Sequence, residues 1–118
     1  MQKTKIYEYA KCSTCRNALK FLDQRNVDYQ KVAIVETPPS KAELRKMLAA
    51  QNGNIKKLFN TSGEVYREMK IGAKIESITV DEALDLLASN GKLIKRPFVI
   101  TGDTGLLGFR EEDWKKLF

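Results

Sequence analysis

Apolar positions change their spacing along the chain, and the changes outline its elements. Lys5-Ile6-Tyr7-Glu8-Tyr9 mixes aromatic and β-branched residues and predicts a short strand. Over residues 13–22 the period lengthens, with Cys15, Ala18, Leu19 and Leu22 on one helical stripe. Residues 29–35 alternate poorly but are rich in Val and Ile, as a buried strand is. Pro38-Pro39 breaks the chain. Ser40-Lys41-Ala42-Glu43 is a capping box that opens a helix with Leu44, Met47 and Leu48 inward, and Gly53 ends that region. Short helical turns are predicted over 55–59 and 64–69, separated by the polar turn Asn60-Thr61-Ser62-Gly63. Thr79-Val80-Asp81-Glu82 is a second capping box. Its helix presents Val80, Ala83, Leu84 and Leu87, with Gly91 placed for a left-handed C-terminal cap. Phe98-Val99-Ile100-Thr101 and Leu106-Leu107-Gly108-Phe109 read as a hairpin around a turn at 102–105. Residues 111–118 close the chain as a helix packing Trp114, Leu117 and Phe118.

The order is β-α-β, a helical middle, then β-β-α. A helix between the first two strands implies that they are parallel, and the last two strands should be antiparallel. The expectation is a single α/β domain over residues 1–118. It consists of a mixed four-stranded sheet flanked by helices, with a helical insertion over about residues 40–92.

Composition narrows the chemistry. The chain has 118 residues, a net charge of +6, two cysteines and no histidine. A Ser-His-Asp triad, a Cys-His dyad and a histidine-ligated zinc are therefore excluded. Two cysteines cannot complete the usual four-ligand structural zinc site, so no metal is expected. Met1 to Tyr7 carries no long apolar core and no apolar run is long enough to span a bilayer, which argues against a signal peptide or membrane association and for a cytoplasmic protein with reduced thiols. Residues 1–59 carry 12 Lys/Arg against 5 Asp/Glu, whereas residues 60–118 carry 9 against 10. No basic run exceeds two residues and no aromatic-rich basic strip appears, so no direct DNA binding is expected.

Cys12-Ser13-Thr14-Cys15, directly after a strand and opening a helix, is the sharpest motif. A helix N-terminus offers unpaired N–H groups and partial positive charge, both of which favour a thiolate. Cys12 would sit at that first turn, with Lys11 and Arg16 adding positive potential. Cys15 belongs to the stripe with Ala18, Leu19 and Leu22 and should be more buried. The asymmetry predicts that Cys12 attacks and Cys15 resolves. Two inert cysteines, or half a zinc site completed by another chain, are the competing readings. A second constellation is Lys95-Arg96-Pro97-Phe98: a proline just before a strand suits an edge, a bulge or a cis bond. Arg96 is either an oxyanion clamp or an ordinary surface arginine.

Together these elements resemble the arsenate reductase/Spx family of thioredoxin-like proteins. The likeness runs through Tyr7 to Ala18 with its two cysteines, Pro38 to Leu44, Phe59-Asn60-Thr61-Ser62-Gly63, Tyr66-Arg67, Leu93 to Pro97, Gly108-Phe109 and Trp114. The resemblance implies a thioredoxin-like fold in a bacterial protein, a monomer with no bound cofactor. It implies that Pro97 is a cis-proline facing the cysteines. It also implies a cysteine nucleophile at Cys12 and anion-binding arginines, one of them Arg96; Arg16, beside the motif, is expected to bind the anion with it. Asn60 stands where another such arginine is expected, and Arg110 lies near the place of a third. The substrate would be a small oxyanion such as arsenate, or a disulfide. The reductant would be glutathione, glutaredoxin or thioredoxin. The Spx branch implies the alternative: a redox-switched regulator that binds the C-terminal domain of the RNA polymerase α subunit.

Overall fold

The computed structural model describes residues 4–118. Residues 1–3, on which part of the signal-peptide expectation rests, lie outside the described residues. The elements are β1 (Thr4–Glu8), α1 (Ser13–Gln24), β2 (Tyr29–Ala33), α2 (Lys41–Ala50), α3 (Glu64–Glu68), α4 (Ile71–Lys74), α5 (Val80–Ser89), β3 (Phe98–Thr101), β4 (Thr104–Leu107) and α6 (Glu111–Leu117). Two 3₁₀ turns, Ile55–Leu58 and Gly91–Leu93, join the helices of the middle segment. The sheet order is β2-β1-β3-β4. β1 and β2 are parallel, and β3 runs antiparallel to both β1 and β4. This is a mixed four-stranded α/β fold of the thioredoxin-like kind. No helix among the described residues is long and apolar enough to cross a membrane.

Strand alternation distributes the core over both faces of the sheet. Ile6 and Val99 meet Ala18, Phe21 and Leu22 of α1 and Trp114 of α6. Tyr7, Phe98 and Ile100 point the other way, into Leu44, Met47, Leu84 and Leu87 of the inserted helices. All four residues of β3 are buried, which is why its sequence is a continuous apolar run rather than an alternating one. The buried Tyr7 places its hydroxyl 2.6 Å from Glu43 Oε1, and Lys5 Nζ lies 3.2 Å from Oε2 of the same carboxylate. β1 is thereby tied to the first turn of α2. Both capping boxes form as the sequence indicates, Ser40 with Glu43 and Thr79 with Glu82.

Several local expectations are corrected. β2 is an edge strand that ends at Ala33, with Gln30 and Lys31 exposed. Its polar residues blunt an edge that a fully apolar strand would leave open to aggregation. Ile34, just beyond it, carries the burial. Val80 is 47% exposed because it occupies the first position of α5, before the apolar stripe turns inward. Helix α4 has no separate signal in the sequence. The hairpin turn is only Gly102-Asp103, so β4 starts two residues earlier than expected and Gly108, at φ +71°, ends it. Gly91 is no left-handed cap. It opens a 3₁₀ turn and lies against the backbone of Ile34 and Val35, where a Cβ would run into the Ile34 carbonyl.

Candidate active site

Cys12 is the N-cap residue of α1. Its backbone is extended, its N–H donates to Tyr9 O at 3.0 Å, and its carbonyl accepts from Arg16 N at 3.1 Å. This tight entry from β1 points the Cys12 sulfur back over the helix start, where the Cys15 N–H donates to Sγ at 3.4 Å. Ser, Thr, Asp and Asn ordinarily fill the N-cap, because their side chains accept from the first-turn amides. Here a sulfur takes that role, and a sulfur held by an amide donor at a helix N-terminus is well placed to carry negative charge. Cys12 is half-buried, Cys15 is fully buried, and both are free thiols.

The Cys15 thiol is pushed up from its ordinary 9.0 to about 12, principally by burial, with a hydrogen bond from the Tyr9 backbone and the charge of Arg96 opposing the rise. It is therefore protonated at neutral pH. The linkage has a definite sign. A folded-state pKa above the unfolded value gives stability that is complete below pH 9.0 and falls as pH rises toward 12, because only the unfolded chain loses the proton in that window. Chemical denaturation of the reduced protein should lose roughly 1 kcal/mol per pH unit there, and Cys15→Ala should flatten that slope. An equal slope in both proteins would show that Cys15 does not carry it.

The start of β3 lies beside the end of β1, with Phe98 opposite Tyr7. The segment before β3 therefore reaches the same sheet end as the Cys12 turn. The Arg96–Pro97 peptide is cis. Pro97 is buried and its carbonyl accepts from Gly108 N at 2.9 Å. The Arg96 guanidinium stacks over the Tyr9 ring, 4.7 Å from its centroid. A cleft of about 410 Å³ opens here, and its wall brings together Cys12, Thr14, Asn60, Arg96 and Arg110. Arg16 does not line this cleft. It lies exposed on α1, with Nη1 donating to Ala10 O at 3.1 Å.

Lys95, Ser62 and Phe109 also line the cleft, and sequence reasoning did not single them out. Lys95 adjoins Arg96 and was available on that ground. Phe109 arrives only because Gly108 turns the chain after β4, setting the ring edge-on to Trp114 at 4.9 Å. Asn60 is held by its own N–H on Leu93 O at 2.7 Å, and Gly63 leaves room for its side chain: a Cβ at 63 would come within 2.8 Å of Asn60 Nδ2. Among the described residues no group of three His, Cys, Asp or Glu could hold a metal ion.

A C-x-x-C at the head of the first helix, a cis-proline before the third strand and the strand order together define a thioredoxin-like protein. The chain belongs to the ArsC family, whose model matches residues 7–117. It is 42% identical over 111 residues to YusI, an uncharacterised protein of Bacillus subtilis strain 168, covering 94% of each chain. It is 28% identical over 102 residues to the global transcriptional regulator Spx of Streptococcus pyogenes, covering 86% of this chain and 75% of Spx. Among solved structures, a possible arsenate reductase from Streptococcus mutans UA159 is similar with a TM-score of 0.87 and 40% identity, over 95% of this chain and 97% of that one.

Proposed function

We propose that the protein is a thiol–disulfide oxidoreductase in which Cys12 is the nucleophile and Cys15 the resolving thiol. The observation that carries this reading is the pairing of a half-exposed Cys12 sulfur, capped by the Cys15 amide, with a fully buried Cys15 thiol one helical turn on. The Cys12 thiolate attacks one sulfur of a substrate disulfide. That bond breaks, a mixed disulfide forms, and the departing thiolate takes a proton from solvent. Cys15 then gives up its proton to solvent and attacks the Cys12 sulfur. The second substrate thiolate leaves, and the protein is left with a Cys12–Cys15 disulfide. The substrate has gained two electrons, which a thiol reductant, either glutathione/glutaredoxin or thioredoxin, returns to the protein.

Arg96, which shares the cleft with Cys12, would stabilise the anionic sulfur that leaves, and stacking on Tyr9 holds its guanidinium plane. Arsenate is the less favoured substrate, because Asn60, a neutral amide, occupies a cleft position where the family pattern places an arginine. The test is steady-state reduction of hydroxyethyl disulfide, recycled by thioredoxin or by glutathione/glutaredoxin, alongside arsenate. Turnover of the disulfide exceeding that of arsenate is expected. Turnover of arsenate alone would overturn the assignment.

The similarity to Spx favours a second reading, in which the same cysteine pair switches a surface that binds the RNA polymerase α subunit. Redox-dependent retention of that subunit, with no turnover of any disulfide, would select it over the first.

A further inference from the structure

Beside the thiol cleft runs a second groove of about 330 Å³ that shares Lys95, Leu107 and Arg110 with it. The extension beyond the shared wall is lined by Lys56 and Lys57 of the 3₁₀ turn. Two contacts fix that turn beside the Arg96 segment: an isolated bridge between Phe59 and Ile94, and the Lys95 N–H donating to Leu58 O at 2.9 Å. The groove thus holds four cations from three separate segments. Its single carboxylate, Asp113, lies 3.7 Å from Arg110. Among the described residues no carboxylate pairs with Lys56, Lys57 or Lys95. Leu106 and Leu107 give the groove an apolar strip.

We infer that this groove receives an acidic, extended polypeptide segment flanking the disulfide that Cys12 attacks, so that the substrate is a protein disulfide in acidic surroundings. The inference rests on the thiol–disulfide reading above. Charge complementarity selects the occupant. A small oxyanion seated at Cys12 would meet Lys95, Arg96 and Arg110 but not Lys56 or Lys57, which line only the extension. An extended chain advancing about 3.3 Å per residue passes from one to the other and places successive carboxylates against both sets. A single-stranded nucleic acid fits less well, because the one aromatic ring of the groove, Phe59, is buried and offers no face for a base.

The test uses reduced full-length protein and three peptides of equal length, each with one central cysteine joined by a disulfide to thionitrobenzoate. The flanks are Asp/Glu, Ser/Gly or Lys. Attack by Cys12 on the peptide sulfur breaks the mixed bond, forms a Cys12–peptide disulfide and releases the coloured thiolate, so the second-order rate is read directly. The acidic peptide should react about 10-fold faster than the neutral one at low salt, with the ratio collapsing toward one in 1 M salt. In K56E/K57E the acidic-to-neutral ratio should fall to one or below; as a ratio within one protein it is insensitive to any loss of folded material. Equal rates for all three peptides, while hydroxyethyl disulfide is still reduced, would overturn the groove assignment and leave the thiol reading intact. Failure to react with any disulfide would overturn the thiol reading itself. Stronger inhibition by single-stranded RNA than by polyglutamate would overturn the acidic-peptide assignment in favour of a nucleic acid.

Discussion

Replacing Cys12 with serine should reduce disulfide turnover by on the order of 10³-fold or more, to the background of the reductant alone. The serine hydroxyl is nearly isosteric and is itself a favoured N-cap acceptor, so the first turn of α1 and the fold should survive. What disappears is the sulfur nucleophile itself. Measured denaturation midpoints for Cys12→Ser should lie close to wild type, which separates loss of chemistry from loss of structure. Retained turnover in a folded Cys12→Ser protein would move the nucleophile elsewhere. The only other thiol, Cys15, is buried and protonated at neutral pH.

The largest effect on stability is expected at Gly91. Its hydrogen lies against the Ile34 carbonyl, and a methyl group would stand 2.7 Å from the carbonyl carbon and closer still to the oxygen. Both partners are backbone, so no side chain can rotate away. Ile34 follows β2 and is fully buried, and Leu93 and Ile94 just after Gly91 are fully buried too, so neither strand of the contact can retreat without opening the core. Gly91→Ala should therefore cost at least about 3 kcal/mol, and lower Tm by about 10 °C or more for a chain of this size. Thermal unfolding followed by circular dichroism checks it, with Gly53→Ala as a comparison. Gly53 has open space around its Cβ position and should pay only for its positive φ. Equal shifts for the two substitutions would show that the close approach at Gly91 is relieved by movement of the chain.

Features set by local periodicity and by residues adjacent in the chain were legible in the sequence. The parallel first pair of strands, both capping boxes, the bounds of β3 and the position of Cys12 at a helix start all follow from such short-range rules. Features that depend on distant segments were not. Gly91 sits at the end of a helical pattern, where a left-handed cap is the ordinary reason for glycine. Its actual reason is a carbonyl 57 positions earlier in the sequence. Residues 29–35 are apolar enough for a central strand, yet the strand order leaves β2 at the edge. The cleft shows the same division. Cys12 and Arg96 announced themselves by motif, and Lys95 was available beside Arg96, whereas the place of Phe109 in the cleft depends on the turn that Gly108 makes after β4. Arg16, adjacent to the motif in sequence, is exposed and is not among the residues lining the cleft, its guanidinium donating instead to the Ala10 carbonyl in the turn before Cys12.

The division of labour between the two cysteines is the central claim, and one measurement reaches it directly. Cys15→Ser protein is mixed with a peptide disulfide and its intact mass recorded, followed by mapping of the modified residue. A stable adduct carrying half of the substrate on Cys12 is predicted, since without the buried thiol nothing inside the protein can release it; wild type treated the same way should instead lose two hydrogen atoms and carry no adduct. An unmodified Cys15→Ser protein, or a wild-type protein that holds the adduct as firmly as the variant, would contradict the assignment of Cys12 as nucleophile and Cys15 as resolving thiol.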